Sequence, residues 1–335
     1  MDNMDNTLNN EIIDHSFISF KKIANFKNTK DEPIGIFDFI GTVKLHGTHG
    51  DIVHFNDGHL NIQSRNRILS VDDDNMGFAT FITQNNNYIS SLFDKVIDIY
   101  GIPYKHIMLS GEWCGGNIQK NVALTKLPRM FVIFAVYIDN TYLDMELFRN
   151  VYNESANIYN IYQFPTYNIT IDFNDTTDAE TLLTHYTNEI EKECPVGKYF
   201  GFSGIGEGIV WISKNSFKNT IIFKTKGDLF TIVLPRKKTN ITTDNMDAAL
   251  DDFVKDHITE NRLNQGIEYL QEFNLEISKL NTNIFRQWIE NDITTEEKNT
   301  IDNFELTPEQ SKMLKKKINN YAASWFVKYN KETKG

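Results

Sequence analysis

The sequence predicts an α+β chain: a first part built on antiparallel sheets, residues 1–238, then a smaller all-helical part, residues 244–335. Three observations point there. Up to residue 226, short runs rich in Ile, Val and Phe recur between Gly, Asn and Asp, the pattern of strands closed by turns. From residue 244 such runs stop, and apolar residues recur at helical spacing. Between the two lies a polar, basic stretch, residues 236–245, entered by Pro235, which suits a linker.

Strands are expected at residues 36–43, 51–55, 60–65, 107–112, 131–138, 207–212 and 220–226. Between residues 78 and 100, Phe81, Tyr88, Leu92, Val96 and Tyr100 recur at helical spacing, and Gly101 stands where a helix C-terminus accepts positive φ. A second helix is expected over residues 178–192. Met246, Leu250, Phe253 and His257 mark one amphipathic helix of the last part, and Leu263, Ile267, Leu270 and Ile277 another. The final helix opens on Thr307 as cap, Pro308 in the first turn and Gln310 as capping-box partner, and its stripe is Leu314, Ile318, Tyr321, Trp325 and Tyr329.

With 40% apolar residues in 335, the chain can bury one large core or two smaller ones. Its first ten residues lack both the basic and the apolar regions of a secretory signal, and no run approaches the roughly 18 apolar residues of a membrane span. A soluble protein without a membrane partner is the reading. Cys114 and Cys194 have no metal-type spacing and are too few for a disulfide framework, so free thiols are expected.

The net charge of −11 argues, by itself, against a polyanionic partner. The average hides local structure. Between residues 207 and 238, Lys214, Lys218, Lys224, Lys226, Arg236, Lys237 and Lys238 face only Glu207 and Asp228; after residue 311, seven lysines face Glu332. Such runs are commonly solvated faces. They are also where this chain would accept nucleic acid.

The chemistry begins at TVKLHGTHG, residues 42–50, where Lys44 ends an apolar β run and a glycine turn follows. A lysine amine is a nucleophile only when deprotonated, so it needs desolvation or neighbouring cations. In GEWCGGNIQKNVAL, residues 111–124, Glu112 closes a strand before two glycines, placing an acceptor for ribose hydroxyls where backbone can approach a ligand. In GFSGIGEGIVWI, residues 201–212, glycines surround Glu207 and a strand follows; a dinucleotide fingerprint needs strand, glycines and then helix, so it is rejected. In TIIFKTKGD, residues 220–228, alternation puts Lys224 and Lys226 on one side of a strand, as a phosphate clamp requires.

These four segments, in this order, resemble the motifs of the covalent nucleotidyltransferase superfamily of ligases and capping enzymes, and most closely the phage-type RNA ligase 2 family, which includes the trypanosome editing ligases. KLHG at residues 44–47 is similar to the lysine motif in its KxHG form, GEWCGGNIQKNV is the most specific match, EGIV and FKTKG complete the set, and Ser64–Arg65 matches a basic motif after the nucleophile. The resemblance covers roughly residues 35–230. It implies an antiparallel-sheet nucleotidyltransferase domain, an ATP-grasp-like ligase fold, followed by a helical domain.

The resemblance further implies an ATP-dependent RNA ligase with Mg2+, acting as a monomer on RNA 5′-phosphate and 3′-hydroxyl ends, in RNA repair. A cytoplasmic setting follows, compatible with a virus-encoded enzyme in its host cell. Lys44 would carry AMP, with Lys224 and Lys226 holding phosphate and depressing the pKa of Lys44, and Lys226 and Glu207 joining it as catalytic residues. Leu45 would border the nucleotide, Arg65 and Glu112 would contact ribose or the RNA terminus, Phe134 would stack on adenine, and Glu207 would position metal or water. Two departures stand out: the family's asparagine after the motif glycine is His49 here, and the acid that often follows the stacking phenylalanine is Ala135. His54 and His59 read as structural or surface residues. A capping-type guanylyltransferase and a non-catalytic RNA-end-binding module are the alternatives.

Overall fold

A computed structural model describes residues 13–30, 33–101, 103–119, 122–214, 220–227, 229–230 and 246–334. The expected linker at 236–245, with Lys218, Lys237 and Lys238, lies outside them. The chain lays down β1 (Ala24–Asn25), β2 (Ile36–Lys44), β3 (Thr48–Phe55), β4 (Leu60–Ser64) and β5 (Ile68–Leu69), then α1 (Phe78–Gln84) and α2 (Asn86–Tyr100). Next come β6 (His106–Cys114), β7 (Met130–Ile138), β8 (Thr141–Leu143), β9 (Ile158–Asn160) and β10 (Thr166–Asp172). They lead into α3 (Thr177–Lys192), α4 (Pro195–Tyr199), β11 (Gly208–Ser213) and β12 (Ile222–Lys226).

Two sheets result, a five-stranded one in the order β1-β12-β11-β2-β10 and a seven-stranded one, β5-β4-β3-β6-β7-β8, with β9 beside β7. Pairing is antiparallel except between β1 and β12 and between β7 and β9. Strand alternation distributes the core. Ile52 on β3 packs with α1 and α2 through Phe78, Ile82 and Phe93, while its neighbours Val53 and Phe55 meet Phe20 on the opposite face. On the smaller sheet, Leu183 and Ile190 of α3 cover Ile209, Trp211 and Phe223. Trp211 and Phe223 are fully buried, so truncating either to Ala costs about 3–5 kcal/mol.

Only helices follow residue 246 among the described residues: α5 (Met246–His257), α6 (Glu260–Glu272), α7 (Thr282–Glu296), α8 (Lys298–Asp302) and α9 (Pro308–Lys334). They close around their own apolar cluster, with Phe253, Leu263, Phe285, Ile289, Ile318 and Phe326 at its centre. The capping box forms as expected: Thr307 N–H donates to Gln310 Oε1 at 2.8 Å, and Gln310 N–H to Thr307 Oγ1 at 3.2 Å.

Several elements differ from expectation. The helical run at 78–100 breaks at Asn85, whose side chain donates to the Phe81 carbonyl at 2.9 Å and so competes with the helix ladder, although Gly101 does end α2 at φ 68°. Ile277 lies beyond α6, which stops at Glu272. The α9 stripe is rotated: Ala322 and Phe326 are buried, while Tyr321 is 40% exposed. The lysines of α9 are not all free either, since Lys317 pairs with Asp251 at 2.6 Å and Lys315 with Glu290 at 3.4 Å. Strands β1, β5, β8, β9 and β10 and helices α4, α7 and α8 were not anticipated.

Candidate active site

Strand register builds the first wall. Lys44, the last residue of β2, stands opposite Gly208 of β11, which stands opposite Lys226 of β12. One row therefore holds two lysines with no side chain between them. Two residues along, Thr42, Val210 and Lys224 form the next row on the same face. Gly208 is required by contact: a Cβ there would meet the Thr225 carbonyl oxygen at 2.0 Å.

Glu207, buried beside that glycine, fills the gap between the lysines. Its Oε2 accepts from Lys44 Nζ at 2.7 Å, its Oε1 from Lys226 Nζ at 2.9 Å, and His46 Nδ1 lies 3.2 Å from Oε2. Burial alone would push the Glu207 carboxyl up, but Lys226 and Lys44, with His46, hold it well below the usual carboxylate range. Burial would likewise lower Lys226, yet the Glu207 carboxylate raises it. Lys224 has no such partner on its own sheet. Burial first and Lys226 second bring it down to about 7, against the opposing pull of Glu296.

The second wall comes from the larger sheet. Glu112 of β6 accepts from the Gly47 backbone N–H at 2.8 Å, which ties the turn after Lys44 to β6, and burial raises its pKa. A Cβ on Gly47 would meet the Trp113 carbonyl at 2.4 Å, so this close approach requires glycine. His49 pairs with Glu112 across strands and is fixed by Asp51 at 2.8 Å. Between β6 and β7 the register slips from Ser110↔Ala135 to Gly111↔Ile133, leaving Phe134 as an extra residue. Such a bulge turns a side chain out of the regular alternation. Phe134 accordingly faces the cavity, edge-on to Phe20 at 5.7 Å, and the Arg65 guanidinium lies 5.5 Å from the Phe20 ring centre.

Between the walls is a cavity of about 550 Å³. All the residues singled out from sequence, Lys44, Leu45, Arg65, Glu112, Phe134, Glu207, Lys224 and Lys226, line it. The structure adds groups that sequence reasoning missed. Phe20, Lys22 and Lys27 arrive from the segment before β2, and Arg262, Glu268, Asp292, Glu296 and Glu297 from the helices. Lys27 meets Glu297 at 2.6 Å and Arg262 meets Asp292 at 2.9 Å. Burial raises the pKa of Glu268. No sequence pattern signals these pairs, because their partners lie far apart in the chain. His54 and His59 have structural surroundings, His54 stacked on Phe93 and His59 bonded to Asn61. Cys114 and Cys194 are buried free thiols.

No three His, Cys, Asp or Glu side chains come together as a metal cage among the described residues. A cation-rich wall with one central carboxylate suits phosphate groups, and the aromatic side suits a base. A lysine in such a row can attack phosphorus once its carboxylate partner releases it.

A family model described as RNA ligase matches residues 37–226, more than half of the chain. No curated protein sequence matches it. Among solved structures, the chain is similar to Naegleria gruberi RNA ligase with PPi, at 21% identity and a TM-score of 0.45 over 64% of this chain. It is also similar to mutants of that enzyme with AMP and Mn, at 20% identity and 0.44, and with ATP and Mn, at 20% and 0.45. In each case the chain spans 57% of the other protein's length. No helix among the described residues is long and apolar enough to cross a membrane.

Proposed function

The chain belongs to the RNA ligase family, and on that premise we propose that it is an ATP-dependent ligase of the RNA ligase 2 type, sealing RNA ends through AMP carried on Lys44. The observation that supports this is the row of Lys44, Gly208 and Lys226 closed by Glu207 inside a cavity with an aromatic side. Residues 1–238 would be the adenylyltransferase unit and residues 244–335 a helical unit contacting RNA, the whole acting as a monomer in RNA repair.

Three transfers make up the reaction. Lys44 Nζ, released from Glu207 and stripped of a proton, attacks the α-phosphorus of ATP; the N–P bond forms, the bond to the β-bridging oxygen breaks, and pyrophosphate leaves with the electron pair. An RNA 5′-phosphate oxygen then attacks the same phosphorus, breaking the N–P bond and returning the amine. Finally an RNA 3′-hydroxyl attacks the activated 5′-phosphorus, expelling AMP. Little covalent work falls to the protein beyond Lys44, so positioning and charge stabilisation carry the rate.

Lys224 and Lys226 would turn to the phosphates as charge develops. Glu207 holds Lys44 at 2.7 Å until the nucleotide draws the lysines away. Glu112 would accept from ribose hydroxyls, Leu45 would border the sugar, Phe134 would stack on adenine, and Arg65 would meet the RNA terminus. Glu207 is a single carboxylate, which fits a magnesium ion that arrives on the nucleotide, since this ion is commonly held by one or two carboxylates plus substrate phosphates. Such an ion would neutralise phosphate charge.

The test is incubation with α-labelled ATP and with α-labelled GTP, followed by a panel of end-defined RNAs. Label transferred from ATP only, with joining of 5′-phosphate to 3′-hydroxyl ends, is expected. Label from GTP would indicate a capping-type enzyme, and binding without label a non-catalytic module.

A further inference from the structure

Helix α7 ends against the rules of an isolated helix. Its last turns carry Asp292 and Glu296, Glu297 follows as cap, and no cation is present, although the exposed carbonyls there favour positive side chains. Asp292 and Glu296 also stand four residues apart, where like charges repel. Their partners come from elsewhere in the chain. Glu296 Oε1 lies 2.8 Å from Lys22 Nζ and 3.4 Å from Lys224 Nζ, and its Oε2 accepts from Asn25 Nδ2 at 2.6 Å. Asp292 reaches Lys22 at 3.3 Å. Inside the cavity the Lys224 and Glu296 side chains are only 11% and 13% exposed.

We propose that Lys22 and Lys224 form a subsite for a polyphosphate group, with Glu296 as its internal occupant, which the incoming polyphosphate displaces. The inference rests on reading the cavity as a nucleotide site. Glu207 already serves Lys44 and Lys226 from within the sheets, so Lys224 takes its carboxylate from a helix 72 residues along the chain. A carboxylate brings one charge on two oxygens, whereas a pyrophosphate brings several charges on more oxygens at the spacing of two lysines, and charge-assisted bonds of that kind are the stronger ones. Glu296 gains nothing from its own helix by staying, since its local setting is unfavourable. Docking of the α7 end and polyphosphate binding therefore oppose each other, and apparent affinity is reduced by the fraction of time the subsite is open.

The test is calorimetric titration of inorganic pyrophosphate into the full-length protein at low salt, wild type against Glu296→Gln, with thermal melting to check the fold. Removing the occupant is expected to tighten binding by about tenfold. Equal or weaker binding would overturn the proposal, because a Glu296 that merely positions Lys224 would be missed when removed. A second measurement needs no variant: amide hydrogen exchange across residues 290–297 should accelerate when wild-type protein is saturated with pyrophosphate. Unchanged or slower exchange counts against displacement. Neither readout uses adenylylation, so failure to form lysyl-AMP would sink the functional reading without deciding this one.

Discussion

Gly208→Ala should separate positioning from mere stability. The new methyl would begin 2.0 Å from the Thr225 carbonyl oxygen and 2.9 Å from Lys226 Cα, both backbone atoms that cannot rotate aside. Reaching the 3.4 Å of ordinary contact requires β12 to retreat by roughly 1.4 Å. Overpacking of this kind costs about 1–3 kcal/mol. The same retreat carries Lys226 away from Glu207 and Lys44, and a misplacement of about 1 Å can slow a reaction about a hundredfold. Urea unfolding and the initial rate of AMP transfer to the protein at saturating ATP measure the two effects. Gly58→Ala serves as the control, since Gly58 has φ 88° but, among the described residues, nothing within 4 Å of its Cβ position; it should lose about 1 kcal/mol and keep its rate. A Gly208→Ala rate within threefold of wild type would show that the Lys44–Gly208–Lys226 row is not the catalytic geometry.

Two further outcomes follow from the same geometry. Burial first, then Lys226, push the Lys224 amine down to about 7; a bound phosphate favours its charged form, so binding takes up a proton and pyrophosphate affinity should fall as pH rises above about 7, by up to tenfold per unit. Lys224→Arg, always charged, should flatten that slope in a pH series of titrations, and an equal slope in both proteins would remove Lys224 from the phosphate site. Truncation near residue 240 should leave lysyl-AMP formation but lower sealing of 5′-phosphorylated RNA at least tenfold in a gel assay, because the sheet walls stay intact while the lysines of α9 are lost; undiminished sealing would show that the helices are not an RNA-binding element.

The cavity's own sheets were legible because they obey local rules. Alternation put Lys224 and Lys226 on one strand face, and both line the cavity; the close contacts that demand glycine at 47 and 208 appear only once the strands pair. Strand β10 escaped notice because its alternation, TYNITID, is written in Thr and Asn rather than in a clear apolar pattern, although Ile169 and Ile171 are buried. Helix α7, rich in Asn and Thr, carries weak helix propensity and is held by tertiary packing of Phe285, Ile289 and Ile293. The bulge that presents Phe134 depends on register with β6, which no single strand encodes. The pairs that close the cavity, Lys22 with Glu296 and Lys27 with Glu297, join residues some 270 positions apart. Only the folded chain brings them together.

Intact-mass and peptide mass spectrometry of the full-length protein after incubation with ATP and magnesium addresses the role of Lys44. The expected result is a mass increase of one AMP, located on the peptide that contains Lys44 and absent from both Lys44→Ala and Lys44→Arg. An adduct that persists in both variants, or that maps to another residue, would contradict a lysyl-AMP enzyme built on the end of β2.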